Sequence, residues 1–174
     1  MIRDAAADDA AAVSAVAARA WPAAYRGLFD PAFIDRVLEH TYAARSVARH
    51  IAECAGHFLV AEEGGKVVGF LHYEPGELHR LYLDPGRIGS GLGRALVEEL
   101  NRRLEPGTEY VALVRAGNDR AEGFYEHLGF ELAERVDGFE RFAAGHGVSP
   151  GAARDAGAEG PLDLLMRFRV PVRS

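Results

Sequence analysis

The sequence predicts a mixed α/β (α+β) fold in which helices flank a mostly antiparallel central sheet. Helical spacing of apolar residues dominates the first third of the chain, and short strand-like segments joined by glycine turns begin near residue 57. A helical segment then separates the strand-like segments 77–83 and 109–114. Because such a helix allows a right-handed crossover, the Leu81–Leu113 region is predicted to hold parallel neighbours.

The first third predicts one short strand and three helices. Ile2-Arg3 opens the strand, and Asp8 or Asp9 can cap the first helix. Trp21-Pro22 should end that helix near Ala20, because proline lacks the amide hydrogen that a helix interior needs. A second helix is expected from Asp30-Pro31, and a third over 43–54.

The rest of the chain predicts strands punctuated by glycine and proline. Gly64-Gly65 predicts a two-residue hairpin turn, and Gly129 predicts the end of a helix. Strands are expected at 57–61, 66–73, 77–83, 109–114, 130–136 and 162–170, and helices at 91–104 and 119–128.

Composition favours a single domain over residues 1–174, since 174 residues with 48% hydrophobic side chains can bury a sizeable core. The segment from about 142 to 160 is rich in glycine and alanine, which predicts a flexible loop inside that domain. This loop could fold over an acceptor site.

Several classes of function are disfavoured by the residues present. No apolar run reaches 18 residues and no leader pattern opens the chain, so no membrane partner is expected. The net charge of −6 without a basic run argues against nucleic acid. The histidines lack zinc-ligand spacing, so no metal is predicted. Cys54 is the one cysteine, which fits a cytoplasmic location.

The strongest motif is a strand, a glycine loop and a helix over residues 81–96. A helix N-terminus offers unpaired amides and a positive dipole end, and glycine lets an anion approach closely, which suits a pyrophosphate. A dinucleotide fingerprint would place its third glycine at position 94, which is Arg94. A structural glycine loop and a coenzyme A loop are the other interpretations.

Residues in two stretches resemble the GNAT (GCN5-related N-acetyltransferase) superfamily. Gly91 and Gly93 match the two small positions of its Gln/Arg-x-x-Gly-x-Gly/Ala loop, although Ile88 replaces the Gln/Arg. Asn118 and the helix 121–130 are similar to the family's asparagine and Ala-x-x-Phe-Tyr-x-x-x-Gly-Phe motif. The segment 21–28 is also similar to acceptor-side helices of many bacterial members.

The resemblance implies the GNAT fold, with its parallel strands splayed where acetyl-CoA binds as cosubstrate. It also implies direct acetyl transfer to a small-molecule or peptide amine in a ternary complex. Backbone amides near Leu81, Tyr82 and Leu83 would hold the pantetheine arm, and the amide of Tyr82 or Leu83 could polarise the thioester carbonyl. The pyrophosphate would contact the amides of Ile88, Gly89, Ser90, Gly91, Leu92 and Gly93. Asn118 would touch coenzyme A, or serve only as a helix cap.

Three residues are candidates for proton transfer. Tyr125, at the family's tyrosine position, is the expected general acid toward the departing thiolate. Glu77 and His79 are alternative general bases, predicted to share one strand face with Leu81 and Leu83. Water alone is the third alternative for removing the amine proton.

The sequence predicts the acceptor-binding residues less clearly than the coenzyme A-binding residues. Trp21 and Tyr25, four residues apart, could line an acceptor pocket or serve as core anchors. The alternatives to acetyl transfer are a non-catalytic acyl-CoA-binding module of the same fold and a transferase of longer acyl chains. The terminal strands of this fold often mediate dimers, which leaves a homodimer open.

Overall fold

The computed structural model describes residues 1–136 and 163–171, so the loop predicted at 142–160 lies outside the described residues. The described strands form one sheet in the order β1-β2-β3-β4-β5-β7-β6, with β4 and β5 as its parallel pair. This arrangement confirms the predicted mixed fold. The strands are β1 Ile2–Asp4, β2 His57–Glu63, β3 Lys66–Glu74, β4 Glu77–Leu83, β5 Glu109–Val114, β6 Glu131–Val136 and β7 Asp163–Arg169.

Helices cover both faces of this sheet and bury two separate cores. The described α-helices are α1 Ala10–Tyr25, α2 Pro31–His40, α3 Ala44–Glu53, α4 Leu92–Arg103 and α5 Asp119–His127. Helices α1 to α3 pack with Phe58, Val60 and Phe70 on one face. Helices α4 and α5 pack with the alternate residues Leu59 and Leu71 on the other. Within the described part of the chain, no helix is long and apolar enough to cross a bilayer.

Helix α1 does not end at Trp21-Pro22, as the sequence predicted, but continues to Tyr25 with Pro22 inside it. Proline removes the helical hydrogen bond to the carbonyl of Ala18. Ala18 is exposed, so water can solvate that carbonyl. Trp21 and Tyr25 are buried on the opposite side, and burial of two aromatic rings outweighs the local cost of the proline.

Strand β4 contains a bulge that corrects the predicted alternation. His72 pairs with Arg80 and Tyr73 pairs with Leu78, so β4 contains one extra residue, His79, between these two register positions. Leu78 therefore faces helices α4 and α5, as do Leu81 and Leu83 beyond the bulge. Glu77 and His79 point to the α1–α3 face instead, and they do not share a face with Leu81 and Leu83.

The parallel pairing of β4 with β5 is confined to the start of β4. It joins Glu77 to Val111 and Leu78 to Ala112, and it does not reach Leu81 and Leu113. Parallel neighbours therefore exist in the predicted pair of strands but not beside Leu81. Beyond the bulge the two strands diverge, and the gap between them opens a cleft.

Candidate active site

A cleft of about 710 Å³ lies where β4 and β5 diverge. Residues from α1, β4, the glycine loop, β5 and α5 line it, so that both faces of the sheet contribute side chains. Among the lining residues are Tyr25, His79, Leu81, Leu83, Arg115 and Tyr125.

The glycine loop places the N-terminus of α4 at the rim of this cleft. Gly89 and Gly91 have φ of 84° and 86°, a backbone conformation that side chains with a Cβ rarely adopt. The first helical bond runs from the Ala95 amide to the Gly91 carbonyl at 3.0 Å. The amides of Leu92, Gly93 and Arg94 therefore have no partner within the helix and are free to bind an anion.

Gly93 lies at a close helix contact beside this loop, and Ile88 lies at its exposed rim. A Cβ on Gly93 would lie 3.1 Å from Cε2 of Phe124, so glycine is what lets α4 approach α5 so closely. Ile88 is 46% exposed at the rim and offers no polar group to the loop. The Ser90 hydroxyl instead donates to the Arg87 carbonyl at 2.6 Å and tightens the turn.

Two ion pairs join the predicted motif to residues outside it and hold the loop against the rest of the molecule. Arg19 of α1 donates from Nε to Asp84 at 2.8 Å, and the other oxygen of Asp84 accepts from the Gly86 amide at 3.2 Å. Arg87 donates to Glu63 at the end of β2 at 2.5 Å. Sequence reasoning missed these contacts because the partners are distant in the chain.

The direction of the β4 amides follows from one hydrogen bond at its end. The Asp84 amide donates to the Val68 carbonyl at 2.8 Å, toward β3. Since amides alternate along a strand, the amide of Tyr82 also points to β3. The amides of Leu81 and Leu83 point the other way, into the cleft. This geometry favours Leu83 over Tyr82 as the candidate oxyanion donor.

Tyr125 of α5 lies at the cleft with its ring packed edge-on against Phe130, at a centroid distance of 4.9 Å. It is 9% exposed, and burial raises the pKa of its phenol above the ordinary value. The phenol is therefore protonated throughout the neutral range. Asn118 caps α5, its side-chain oxygen accepting from the Ala121 amide at 3.2 Å, and it also lines the cleft.

The two aromatic residues predicted for the acceptor side have different positions. Trp21 is fully buried among aromatic rings and does not line the cleft, which favours the core-anchor alternative for this residue. Tyr25 does line the cleft, and its hydroxyl lies 2.9 Å from that of Tyr82. Burial raises the pKa of both phenols. The Tyr82 side chain was not predicted, because only its backbone belongs to the motif.

The two candidate bases lie together at the bulge. The His79 ring lines the cleft, and its Nδ1 lies 3.6 Å from Oε1 of Glu77. The Glu77 side chain is 18% exposed and is not part of the cleft lining. The structure thus brings the histidine, rather than the glutamate, to the cavity.

Basic side chains in the cleft were also not predicted. Arg94 and Arg120 line it with exposed guanidinium groups, on a protein whose net charge is −6. Arg115 lines it from the end of β5 and makes a buried ion pair with Asp163 at 2.8 Å. The position of Arg94 just after the glycine loop was a usable signal for an anion site, whereas the partner of Arg115 is set by tertiary structure.

Comparisons with known proteins agree with this geometry. Residues 54–132 match a family model described as an acetyltransferase (GNAT) domain. A Mycobacterium tuberculosis protein named as an uncharacterised N-acetyltransferase is 30% identical over 134 residues, 71% of this chain and 84% of that protein. The peptidyl-lysine N-acetyltransferase YjaB of Escherichia coli is 32% identical over 80 residues, 46% of this chain and 52% of that protein.

A solved structure shares the fold. The PaiA N-acetyltransferase of Thermoplasma acidophilum, crystallised in complex with coenzyme A, superposes with a TM-score of 0.75 at 21% identity, over 97% of this chain and 98% of that one. Together with the sequence relatives, this fold and the cleft at its splayed strands lead to one conclusion: the chain belongs to the GNAT family of N-acetyltransferases and is an acyltransferase.

Proposed function

We propose that this enzyme transfers an acetyl group from acetyl-CoA to a primary amine of a small molecule or a protein, in a ternary complex. The observation that carries the proposal is a cleft that residues from both faces of the sheet line. Unpaired amides and glycines lie on its α4–α5 side, and His79 and Tyr25 lie on its α1–α3 side. A donor and an acceptor can therefore meet at the divergence of β4 and β5.

Backbone groups account for donor binding in this proposal. The amides of Leu92 and Gly93, which have no partner within α4, hold the pyrophosphate. The amides of Ile88 and Ser90 instead donate to the Pro85 and Arg87 carbonyls and shape the turn. The cleft-facing amide of Leu81 pairs with the pantetheine arm as an added strand would. Arg94 and Arg120 supply positive charge for the phosphates. The coenzyme A complex of the Thermoplasma protein supports this placement at the level of the shared fold.

The chemistry needs one oxyanion donor, one acid and one base. The amine nitrogen attacks the thioester carbonyl while the Leu83 amide donates to the developing oxyanion. The carbon–sulfur bond then breaks, and the thiolate takes a proton from Tyr125, whose buried phenol is protonated at neutral pH. Glu77, His79 or water removes the proton that the amine carries as an ammonium ion.

Relatives with assigned acceptors support the amine class without selecting one acceptor. Their names describe peptidyl-lysine, N-alpha-amino and phosphinothricin acetylation. We therefore propose a primary amine as the acceptor. The location proposed for the enzyme is the cytoplasm, because Cys54 is its one cysteine and carries a free thiol.

Calorimetric titration with acetyl-CoA and desulfo-coenzyme A tests the donor. Gly91→Val should weaken binding about tenfold or more, because a branched side chain at positive φ distorts the loop and covers the amides. Gly107→Val is the matched control: its φ is 85° against 86° for Gly91, and neither Cβ meets a neighbour within 4 Å. Equal loss in both variants, or no binding by the wild type, would overturn the coenzyme A site.

Release of coenzyme A thiol in an amine screen tests the reaction. Turnover with any amine excludes a non-catalytic acyl-CoA-binding module of this fold. Binding without turnover across aliphatic, aminoacyl and lysyl-peptide amines would favour that alternative. Competition by longer acyl-CoAs separates an acetyltransferase from an enzyme for longer chains, since only the latter binds them as tightly as acetyl-CoA.

A further inference from the structure

Two carboxylates face each other where β3 turns into β4. Glu74 and Glu77 are directly opposed in the antiparallel register. Like charges directly opposite on a sheet repel and are destabilising. Both side chains are partly buried, at 44% and 18% exposure, so water screens the repulsion incompletely. A compensating cation between them would remove the repulsion.

His79 is the side chain that the bulge inserts between these carboxylates. Its Nδ1 lies 3.6 Å from Glu77 and its Nε2 lies 4.0 Å from Glu74. The same ring lines the cleft. A proton on either nitrogen of His79 is therefore stabilised by a nearby carboxylate, and the residue that would hold this proton lines the cleft.

The other basic groups around His79 cannot take this role. The His72 ring stacks on it at a centroid distance of 5.5 Å, and burial together with the charge of Arg80 lowers the pKa of His72 to about 3. Burial also lowers the pKa of His50, which stacks on His72 at 6.3 Å, to about 4. Arg80 is a permanent cation, so none of these groups exchanges a proton near neutral pH.

Hydrogen bonding also defines the tautomer of His72. Arg80 is purely a donor, and its Nη1 lies 2.7 Å from Nδ1 of His72, so the proton of that neutral ring is on Nε2. This N–H faces Glu74 at 3.3 Å, a contact poorly aligned for a hydrogen bond. Cys54, His72 and Glu74 approach within 4.8 Å of one another, but a protonated Nε2 has no lone pair for a metal.

We propose that His79 accepts the proton of the acceptor ammonium, and that Glu74 and Glu77 are positioning residues that hold the resulting imidazolium. This inference rests on the proposed function and selects among its three bases. The N–H bond of the ammonium breaks and its proton binds the neutral imidazole, while the nitrogen lone pair attacks the thioester. The imidazolium of His79 then loses its proton to solvent, which regenerates the neutral ring.

The pH profile of kcat/KM, measured with the best amine from the screen, tests the role of Glu74. Glu74→Gln should move the acidic limb of the profile to lower pH by about 0.5 to 1 unit, because one carboxylate no longer stabilises the imidazolium. The kcat/KM value on the plateau above this limb should fall roughly two- to threefold, because a base of lower pKa accepts the proton less readily. Glu74→Asp should restore most of the position of the acidic limb and most of the kcat/KM value. Glu105→Gln, which removes the same charge at an exposed site, should alter neither quantity.

A measurement without turnover keeps this test independent of the proposed function. Nitrogen-15 NMR of labelled histidines follows the protonation of His79, assigned with His79→Gln, in the wild type and in Glu74→Gln. A lower titration midpoint in Glu74→Gln supports the inference, and an unchanged midpoint overturns it. An acidic limb that persists in His79→Gln also overturns the inference that His79 is the base. A wild type without any turnover would contradict the proposed acetyltransferase function and leave the NMR test of His79 in place.

Discussion

The two sides of the cleft are built on different principles. The donor side is mainly backbone amides and glycines, and its residues come from two continuous stretches, 81–94 and 118–125. The acceptor side consists of side chains joined across long separations: Tyr25 meets Tyr82 across 57 positions, and Arg115 meets Asp163 across 48. Backbone groups can bind a ligand whose shape is constant, whereas side chains can be exchanged to suit a particular acceptor. Charges and pH should therefore matter most on the acceptor side.

The largest effect is expected from breaking the buried pair on the acceptor side. Asp163→Ala leaves the Arg115 guanidinium and the Ala116 amide without their partner, at 2.8 and 3.0 Å. Loss of one partner of a buried pair costs about 3–5 kcal/mol of unfolding free energy. Urea denaturation measures this loss.

Glu109→Ala is the control for that prediction. It removes an ion pair of similar length, 2.6 Å to Arg169, but between exposed side chains. Its denaturation midpoint should stay near that of the wild type. Equal destabilisation by both variants would contradict the claim that burial makes the Arg115 pair important.

The next effect tests the acid on the donor side. Tyr125→Phe removes one hydroxyl and keeps the packed ring, so kcat should fall about 100-fold while the affinity for desulfo-coenzyme A is retained. Tyr110→Phe is the matched control: this buried phenol donates to Asn101 at 2.8 Å, away from the cleft. It should lower stability by about 1 kcal/mol and leave kcat unchanged. A Tyr125→Phe enzyme at full rate would exclude the phenol as the acid.

The pH dependence of stability should report the buried histidine behind the acceptor side, His72. The pKa of His72 is about 3 in the folded protein, lowered by burial and Arg80, against 6.5 in the unfolded chain. The unfolded chain binds the proton first, so acidification below pH 6.5 favours unfolding. Between pH 7 and pH 5 the contribution of His72 is about 2 kcal/mol.

Denaturation of His72→Gln at both pH values checks this prediction. The variant should be less stable at pH 7, but its loss of stability toward pH 5 should be smaller than that of the wild type. His40→Gln, an exposed histidine on α2, should reproduce the wild-type dependence. Identical slopes for all three proteins would mean that His72 is not the buried neutral group described above.

The smallest effect concerns the exposed arginines on the donor side. Arg94→Gln and Arg120→Gln should each weaken desulfo-coenzyme A binding about two- to fivefold, because solvent screens exposed charges. Each variant should also show a shallower salt dependence. Arg45→Gln, an exposed arginine on α3, is the control and should change neither quantity. A loss as large as that expected for Gly91→Val would mean that side chains rather than amides dominate donor binding.

Most strands and helices were predictable because each carries its own signal. Gly64 and Gly65 adopt φ of 55° and 74° in the predicted hairpin turn, and Asp30 accepts from the Ala32 amide as the predicted cap. The end of α1 was mispredicted because local chemistry at Pro22 is outweighed by packing of Trp21 and Tyr25. The face of His79 was mispredicted because a bulge depends on the partner strand, which strand periodicity does not encode.

The sequence by itself determined the order of elements, the glycine loop at the start of α4 and the tyrosine on α5, because these depend on neighbours within a few residues. Only the tertiary structure decided where β4 leaves β5, and which way His79 points. It also decided that Arg19 and Glu63 hold the loop and that Asp163 contacts Arg115. Those arrangements join segments up to 65 positions apart, and their energies come from burial and charge that exist only after the chain has folded.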